Sequence, residues 1–328
     1  MYQYLSGILT VIAINITAVC GLTILTGFTG MFSLGHAGFM SLGAYASVIA
    51  IKYWGFTFIP AMIFGGLVAA FFGLLVGYPT MKGRMRGDTF AIAMLGFSET
   101  VRLALSNIYP YINGALGISG IPKYSEAWLV LFIAAICVYL TYRYTKSKHG
   151  RIALSIRDEE TAAELIGVNV TREKVKNFMI SGFFCGMAGC MYACYYTFIT
   201  PNTFSATTSN NILAAVVFSG MGSVSGPTIA AIFLAMLPEV LRVVQKWRLV
   251  LYGALMILVM LFKPEGLMGG RELFSGRNLR AKNELALYSE SDCAIRRTEG
   301  DQQCKSVFGC GANGGLDRTE WCRQNNAF

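Results

Sequence analysis

The sequence predicts an all-α, polytopic membrane protein with about eight or nine transmembrane helices, some of them broken or re-entrant. Hydrophobic residues account for 54% of its 328 residues and charged residues for only 14%. The mean hydropathy of +0.51 indicates more apolar side chain than a water-facing surface could cover. Uncharged runs, several of them long enough to cross a bilayer, lie at 1–51, 53–81, 103–122, 127–142, 177–238 and 249–262.

The predicted spans follow these runs in chain order. They lie near 5–26, 37–51, 57–79, 89–107, 127–145 and 175–198, before a glycine-interrupted region at 211–241 and a short apolar helix at 249–262. The transmembrane domain is therefore predicted to occupy 1–270. Residues 271–328 are polar and contain no run that could form a core or a span, so this tail is predicted to be disordered and cytoplasmic.

Basic residues are concentrated in two segments between predicted spans, at 81–88 and at 143–176. The positive-inside rule places such segments in the cytoplasm. The loops at 108–126 and 199–210, which carry few charges or none, are then external. The net charge of +9 therefore reflects membrane topology, and the lipid bilayer, not nucleic acid, is the predicted partner.

The first apolar run contains the glycine-rich segment TGFTGMFSLGHAGFMSLGAY. Its glycines follow no single helical period, which favours a broken helix over a plain close-packing face. Non-helical backbone at membrane depth is tolerated where protein buries it or where it lines a cavity. Gly30, Ser33, Gly35 and His36 are therefore predicted to line or gate a translocation path. For His36 the alternative is a packing histidine with a satisfied ring nitrogen.

A second glycine and serine interruption, FSGMGSVSGP, lies between two later apolar segments. Paired interruptions in two halves of a membrane protein are typical of a transport pathway. Gly220, Gly222 and Ser223 are therefore predicted to line or gate the same path. The alternative is an ordinary tight turn that joins two helices.

Two charged residues, Glu99 and Arg102, fall within the predicted fourth span. They are three positions apart, so an intramembrane ion pair between them would reduce the cost of both charges. The spans contain no paired carboxylates, no cluster of histidine and cysteine and no nucleophile with a base. The sequence therefore predicts no catalytic residue, no metal site and no cofactor.

The loop at about 146–174 contains the segment SIRDEETAAELIGVNVTREK. Asp158 is predicted to cap the N-terminus of a short helix, and Gly167 is predicted to end it. Ala162, Ala163 and Leu165 are predicted to lie on its less polar side, where the small alanines would permit close approach of a partner. The segment thus predicts a docking helix, and the alternative is a solvated amphipathic linker. The residues assigned to docking are Asp158, Glu160, Ala162, Ala163 and Gly167.

These segments, together with MRGDTFAIAMLGFSETVR, NGALGISGIP and LFKPEGLMG, resemble the permease subunits of bacterial ABC importers for branched-chain amino acids. The resemblance covers about 20–270 and leaves out the cysteine-containing tail. In such permeases a loop of the E-x-A-A type, followed by glycine, docks on the ATPase. The residues that match this loop are Glu160, Ala162, Ala163 and Gly167.

The resemblance implies an inner-membrane subunit that works with a second permease, two cytoplasmic ATP-binding subunits and a periplasmic substrate-binding protein. The substrates would be leucine, isoleucine and valine. The sequence has no GxxxxGK[ST] loop, so it is not predicted to be an enzyme, and ATP hydrolysis would occur in the partners. The alternatives are the same machine carrying urea or a short amide, and an ion-coupled secondary transporter. The scarcity of carboxylates inside the predicted spans disfavours the secondary transporter.

Overall fold

The computed structural model describes residues 2–83, 85, 87–124, 127–165, 167–220, 222–240 and 253. The predicted tail and, apart from Gly253, the predicted helix at 249–262 lie outside these residues. The described chain is helical, as predicted, except for short connections and one two-stranded ribbon. The long helices are α1 (Tyr2–Leu22), α2 (His36–Trp54), α3 (Phe58–Lys82), α4 (Gly87–Asn107), α6 (Ala127–Lys146) and α9 (Val170–Tyr196).

Shorter elements connect and follow these helices. They are a π-helix (Thr23–Phe28), α5 (Tyr109–Ile112), a 3₁₀ turn (Gly114–Leu116), β1 (Ile118–Ser119), α7 (Lys148–Asp158), α8 (Glu160–Leu165), β2 (Phe198–Ile199), a second 3₁₀ turn (Pro201–Phe204), α10 (Ala206–Ser219) and α11 (Ser225–Val240).

Five helices of the described chain are long and apolar enough to cross a membrane. They are Ser6–Phe28, Phe58–Lys82, Gly87–Asn107, Ala127–Lys146 and Val170–Tyr196. The predicted span at 37–51 is helical as part of α2, but it is not among the five. Helices α10 and α11 have only 14 and 16 residues, so a total of eight or nine spans stays a prediction.

Helix α9 is the centre of the bundle, and helices α1, α2 and α3 pack against it. Small residues allow two backbones to touch where α2 crosses α9. A Cβ atom built on Gly43 would lie 2.2 Å from the Cα of Gly186, and one built on Gly189 would lie 2.0 Å from the carbonyl oxygen of Met40. Without a strong hydrophobic effect between lipid-embedded helices, such close approach is a main source of stability.

The two loops that were predicted to be external meet in the structure. Strand β1 pairs with β2 in an antiparallel ribbon, with Ile118 opposite Ile199. Gly117, with φ of +79°, precedes the ribbon, and a Cβ atom there would lie 2.1 Å from the carbonyl oxygen of Ile199. The loops therefore lie at the same end of the bundle.

The predicted start of the docking helix is wrong. Asp158 is the last residue of α7, Glu159 is extended with φ of −153°, and α8 begins at Glu160. The helical spacing of buried residues begins upstream, at Gly150, Ala153 and Ile156, so the chain is already helical when it reaches Asp158. The predicted end is confirmed, because Gly167 has φ of +86° and its N–H donates to the carbonyl of Glu164 at 3.0 Å.

Candidate functional site

The first interruption lies between Leu22 and His36. Helix α1 widens into the π-helix, and residues 30–35 are not helical. Gly30 has φ of +73°, which is a left-handed conformation that side chains disfavour. Two threonine hydroxyls donate to backbone carbonyls in this region: Thr26 to Met31 at 2.9 Å and Thr29 to Ile24 at 3.1 Å.

The start of α2 is fixed by contacts with three other helices. A Cβ atom on Gly35 would lie 2.7 Å from the carbonyl oxygen of Met94 in α4. The Nε2 atom of His36 lies 2.7 Å from the Ser181 hydroxyl of α9, and the Ala37 N–H donates to the Ser209 hydroxyl of α10 at 2.8 Å. His36 is fully buried, so its ring packs inside the bundle.

Ser33 is buried beside this helix start, and its hydroxyl accepts a hydrogen bond from the Gly35 N–H at 3.4 Å. In the part of the chain that the structure describes, no group of three or more His, Cys, Asp and Glu side chains could hold a metal ion.

The second interruption lies between Ser219, where α10 ends, and Ser225, where α11 begins. Gly220 and Gly222 have φ of +92° and +102°. Both values favour glycine, because a Cβ atom is strained at such angles. Ser223 is fully buried at this point.

Helix α8 presents a different face from the one predicted. Ala163 is buried in a cluster with Ile156 and Val170, whereas Ala162 is exposed and Leu165 is 88% exposed. The prediction that placed Ala162, Ala163 and Leu165 on one less polar side is therefore wrong. Successive residues of a helix differ by about 100°, so Ala163 points to the bundle when its neighbours point away.

An ion pair connects α8 to α9. The Nζ atom of Lys174 lies 2.8 Å from Oε1 of Glu160, and both side chains are largely buried. Helix α8 has one turn and a half, so it depends on such contacts for its orientation. Asp158 and Gly167, at the two ends, are exposed.

A cavity of about 290 Å³ lies between the first interruption and the segment that contains the end of α7 and the start of α8. The residues that line it include Thr29 and Gly30 of the interruption, Arg157, Asp158 and Glu160 of the loop, and Lys174 of α9. The structure thus brings predicted gating residues and predicted docking residues to one place.

Glu99 and Arg102 form an ion pair in α4, with Nη2 of Arg102 2.7 Å from Oε2 of Glu99. Each side chain is about one-third exposed. Nη1 of Arg102 also donates to Oδ1 of Asn202 at 2.8 Å. The pair therefore ties α4 to the 3₁₀ turn that follows the β ribbon.

Sequence reasoning did not single out α7. Ala153 is buried in one apolar cluster with Phe28 of the first interruption and Val224 of the second. Its neighbour one turn later, Arg157, hydrogen-bonds to the carbonyl of Gly27. The available signal was the helical spacing of these two positions, four residues apart, directly before the predicted start of the docking helix at Asp158.

Comparison with known proteins identifies a single family. The family described as "Branched-chain amino acid transport system / permease component" matches residues 4–260. The high-affinity branched-chain amino acid transport system permease protein LivM of Salmonella typhimurium is 32% identical over 295 residues, which are 80% of this chain and 69% of that protein. LivM of Escherichia coli is 32% identical over 314 residues, which are 85% of this chain and 73% of that protein.

A further relative is the corresponding permease protein LivH of Escherichia coli, which is 25% identical over 285 residues, or 77% of this chain and 90% of that protein. No solved structure matches the chain significantly.

Proposed function

The chain belongs to the family of permease components of branched-chain amino acid transport systems, and from this membership we propose that it forms the translocation path for leucine, isoleucine and valine. The observation that carries the proposal is the family match over 4–260, which includes both interruptions and helices α7 and α8. The relatives are named as high-affinity permeases for branched-chain amino acids. The chain is a multi-pass membrane protein, and we place it in the bacterial inner membrane.

The proposed machine is an ATP-driven importer with several subunits. A second permease subunit is proposed because LivM and LivH of Escherichia coli are both named as permease proteins of such a system. Two cytoplasmic subunits would bind and hydrolyse ATP, since this sequence has no phosphate-binding loop of the GxxxxGK[ST] type. A periplasmic protein would deliver the substrate.

Helix α8 is proposed to dock on an ATP-binding subunit. Its outward face carries the exposed Ala162 and Leu165, and Gly167 ends it. Its inward face rests on α7 and α9 through Ala163 and the Glu160–Lys174 pair. A displacement of α8 would therefore be transmitted to the two helices that support it.

The two interruptions are proposed to line or gate the path. Both combine left-handed glycines with buried polar side chains, which is the backbone that membrane transporters place at a pathway. In the first interruption these residues are Gly30, Ser33, Gly35 and His36. In the second they are Gly220, Gly222 and Ser223.

The proposal is tested by substrate uptake. A strain without this chain should lose uptake of radiolabelled leucine at low external concentration, and the wild-type gene should restore it. The same strain with a catalytically inactive ATP-binding subunit should also take up no leucine. Normal uptake of all three amino acids, with loss of uptake of urea or a short amide, would refute the proposal that branched-chain amino acids are the substrates. Uptake that survives inactivation of the ATPase would indicate an ion-coupled transporter.

A further inference from the structure

Helix α7 lies between α8 and both interruptions. Ala153 of α7 is buried in one apolar cluster with Phe28 of the first interruption and Val224 of the second. Ile156 of the same helix is buried in another cluster with Ala163 of α8. Only the extended residue Glu159 separates α7 from α8. Any rigid movement of α7 therefore affects contacts with α8 and with both interruptions.

The side chain of Arg157 reinforces this arrangement. Its Nη1 atom donates a hydrogen bond of 2.8 Å to the carbonyl oxygen of Gly27. Its aliphatic part lies against Gly30, where an added Cβ atom would be 3.0 Å from Cγ of the arginine. The same Nη1 atom would lie 3.2 Å from a Cβ atom on Gly222. The guanidinium thus lies between two segments that are far apart in the sequence.

The chemistry at Gly27 suits a cation. Its carbonyl belongs to the last turn before the helix is interrupted, where carbonyl groups lack helical partners and carry the negative end of the helix dipole. A guanidinium can donate from one nitrogen while its flat group packs against a glycine backbone. The absence of side chains at Gly30 and Gly222 leaves the space that the arginine occupies.

We infer that Arg157 is a positioning residue that holds both interruptions against α7, so that movement of α7 displaces the two interruptions together. The inference rests on the proposed function, because it takes the interruptions to be part of the path. In this arrangement α8 contacts the ATP-binding subunit, and α7 transmits the movement of α8 to the interruptions. Loss of Arg157 should then uncouple the path from the ATPase without preventing docking.

The test measures hydrogen–deuterium exchange in the full-length chain, held in lipid nanodiscs with the subunits that co-purify with it. The reporter amides are those of Thr29 and Met31, which donate to the Leu25 carbonyl, and that of Gly220, which donates to Val217. In Arg157→Gln, exchange should rise about tenfold in the first interruption, where a hydrogen bond to a charged group is lost. It should rise about threefold in the second, where packing against the guanidinium is lost.

The matched control is Arg151→Gln, which removes an exposed arginine from the same helix. It should leave exchange in both interruptions unchanged. If the glutamine variant is not recovered from membranes, Arg157→Lys replaces it. Lysine keeps the positive charge but lacks the planar guanidinium that lies between the two segments, so exchange should rise at both Gly220 and Thr29, by less than in Arg157→Gln. Unchanged exchange at Gly220 in the variant measured would overturn the inference.

Leucine uptake and binding of ATP-binding subunits are measured on the same variants. Arg157→Gln should bind the subunits as the wild type does, with leucine uptake reduced about tenfold, in line with the lost charged hydrogen bond. Failure of the proposed function would appear differently, as a wild-type protein that binds no ATPase or imports no branched-chain amino acid. The exchange measurement decides the role of Arg157 in either case. Reduced subunit binding in Arg157→Gln would contradict the division of roles between α7 and α8.

Discussion

The exposed leucine of α8 offers a direct test of docking. Leu165 is 88% exposed on a helix of six residues, and it is separated from the buried Ala163 by only two positions. If the outward face of α8 enters a groove of the ATP-binding subunit, this side chain becomes buried there. Burial of a leucine side chain contributes about 1.5–3 kcal/mol, so Leu165→Ala should weaken association by about 2 kcal/mol. This corresponds to a decrease in affinity of about thirtyfold.

The assay compares the affinity of purified ATP-binding subunits for the reconstituted permease with and without the substitution. Leu116→Ala is the matched control, because Leu116 is 79% exposed and lies two positions before the β ribbon, at the end predicted to be external. This variant should bind the ATPase normally. Since Leu165 is almost fully exposed, its replacement should not alter insertion or folding. Equal affinities of Leu165→Ala and the wild type would refute docking through this face.

Two further substitutions test the backbone at the end of α8 and at the first interruption. Gly167→Val should reduce ATPase association and substrate-stimulated hydrolysis about tenfold, because a β-branched residue is strained at φ of +86°. The control Lys148→Ala should change neither measurement. Gly35→Leu should strongly reduce leucine uptake, because the added Cβ atom alone would lie 2.7 Å from the carbonyl oxygen of Met94. The control Gly96→Leu should transport normally, because no atom lies within 4 Å of a Cβ atom added there. Equal uptake by the two leucine variants, measured at matched expression, would contradict close packing at the start of α2.

The positions of the interruptions could be predicted because their cause is local. A residue with positive φ is strained unless it is glycine, so glycines outside any helical period mark places where a helix can stop. Gly30, Gly220 and Gly222 all have positive φ, and Gly167 ends α8 in the same way. Each of these positions can be recognised from a few neighbouring residues.

The packing role of other glycines could not be predicted in this way. Gly65 looks like an ordinary residue of a long apolar helix, yet a Cβ atom there would lie 2.5 Å from the carbonyl oxygen of Gly43 in α2. Gly96, in α4, has no such neighbour. The difference between Gly65 and Gly96 depends on which helices are adjacent, and the pattern of residues along one helix does not indicate its neighbours. The boundary between α7 and α8 also involves such contacts, because Ile156 and Ala163, one on each side of it, are buried in the same cluster with Val170 of α9.

Helix α8 is connected to the first interruption by two separate routes. A helix of six residues is unstable by itself, so α7 and α9 determine its orientation. Helix α7 reaches the interruption through the hydrogen bond from Arg157 to Gly27. Helix α9 reaches it through Asn177, whose amide donates to the Thr29 hydroxyl at 3.1 Å. Because both routes end within three residues of each other, a displacement of α8 that moves either supporting helix acts on the same turn of backbone. That turn is also where α1 gives way to the π-helix, a conformation that occurs frequently at functional sites.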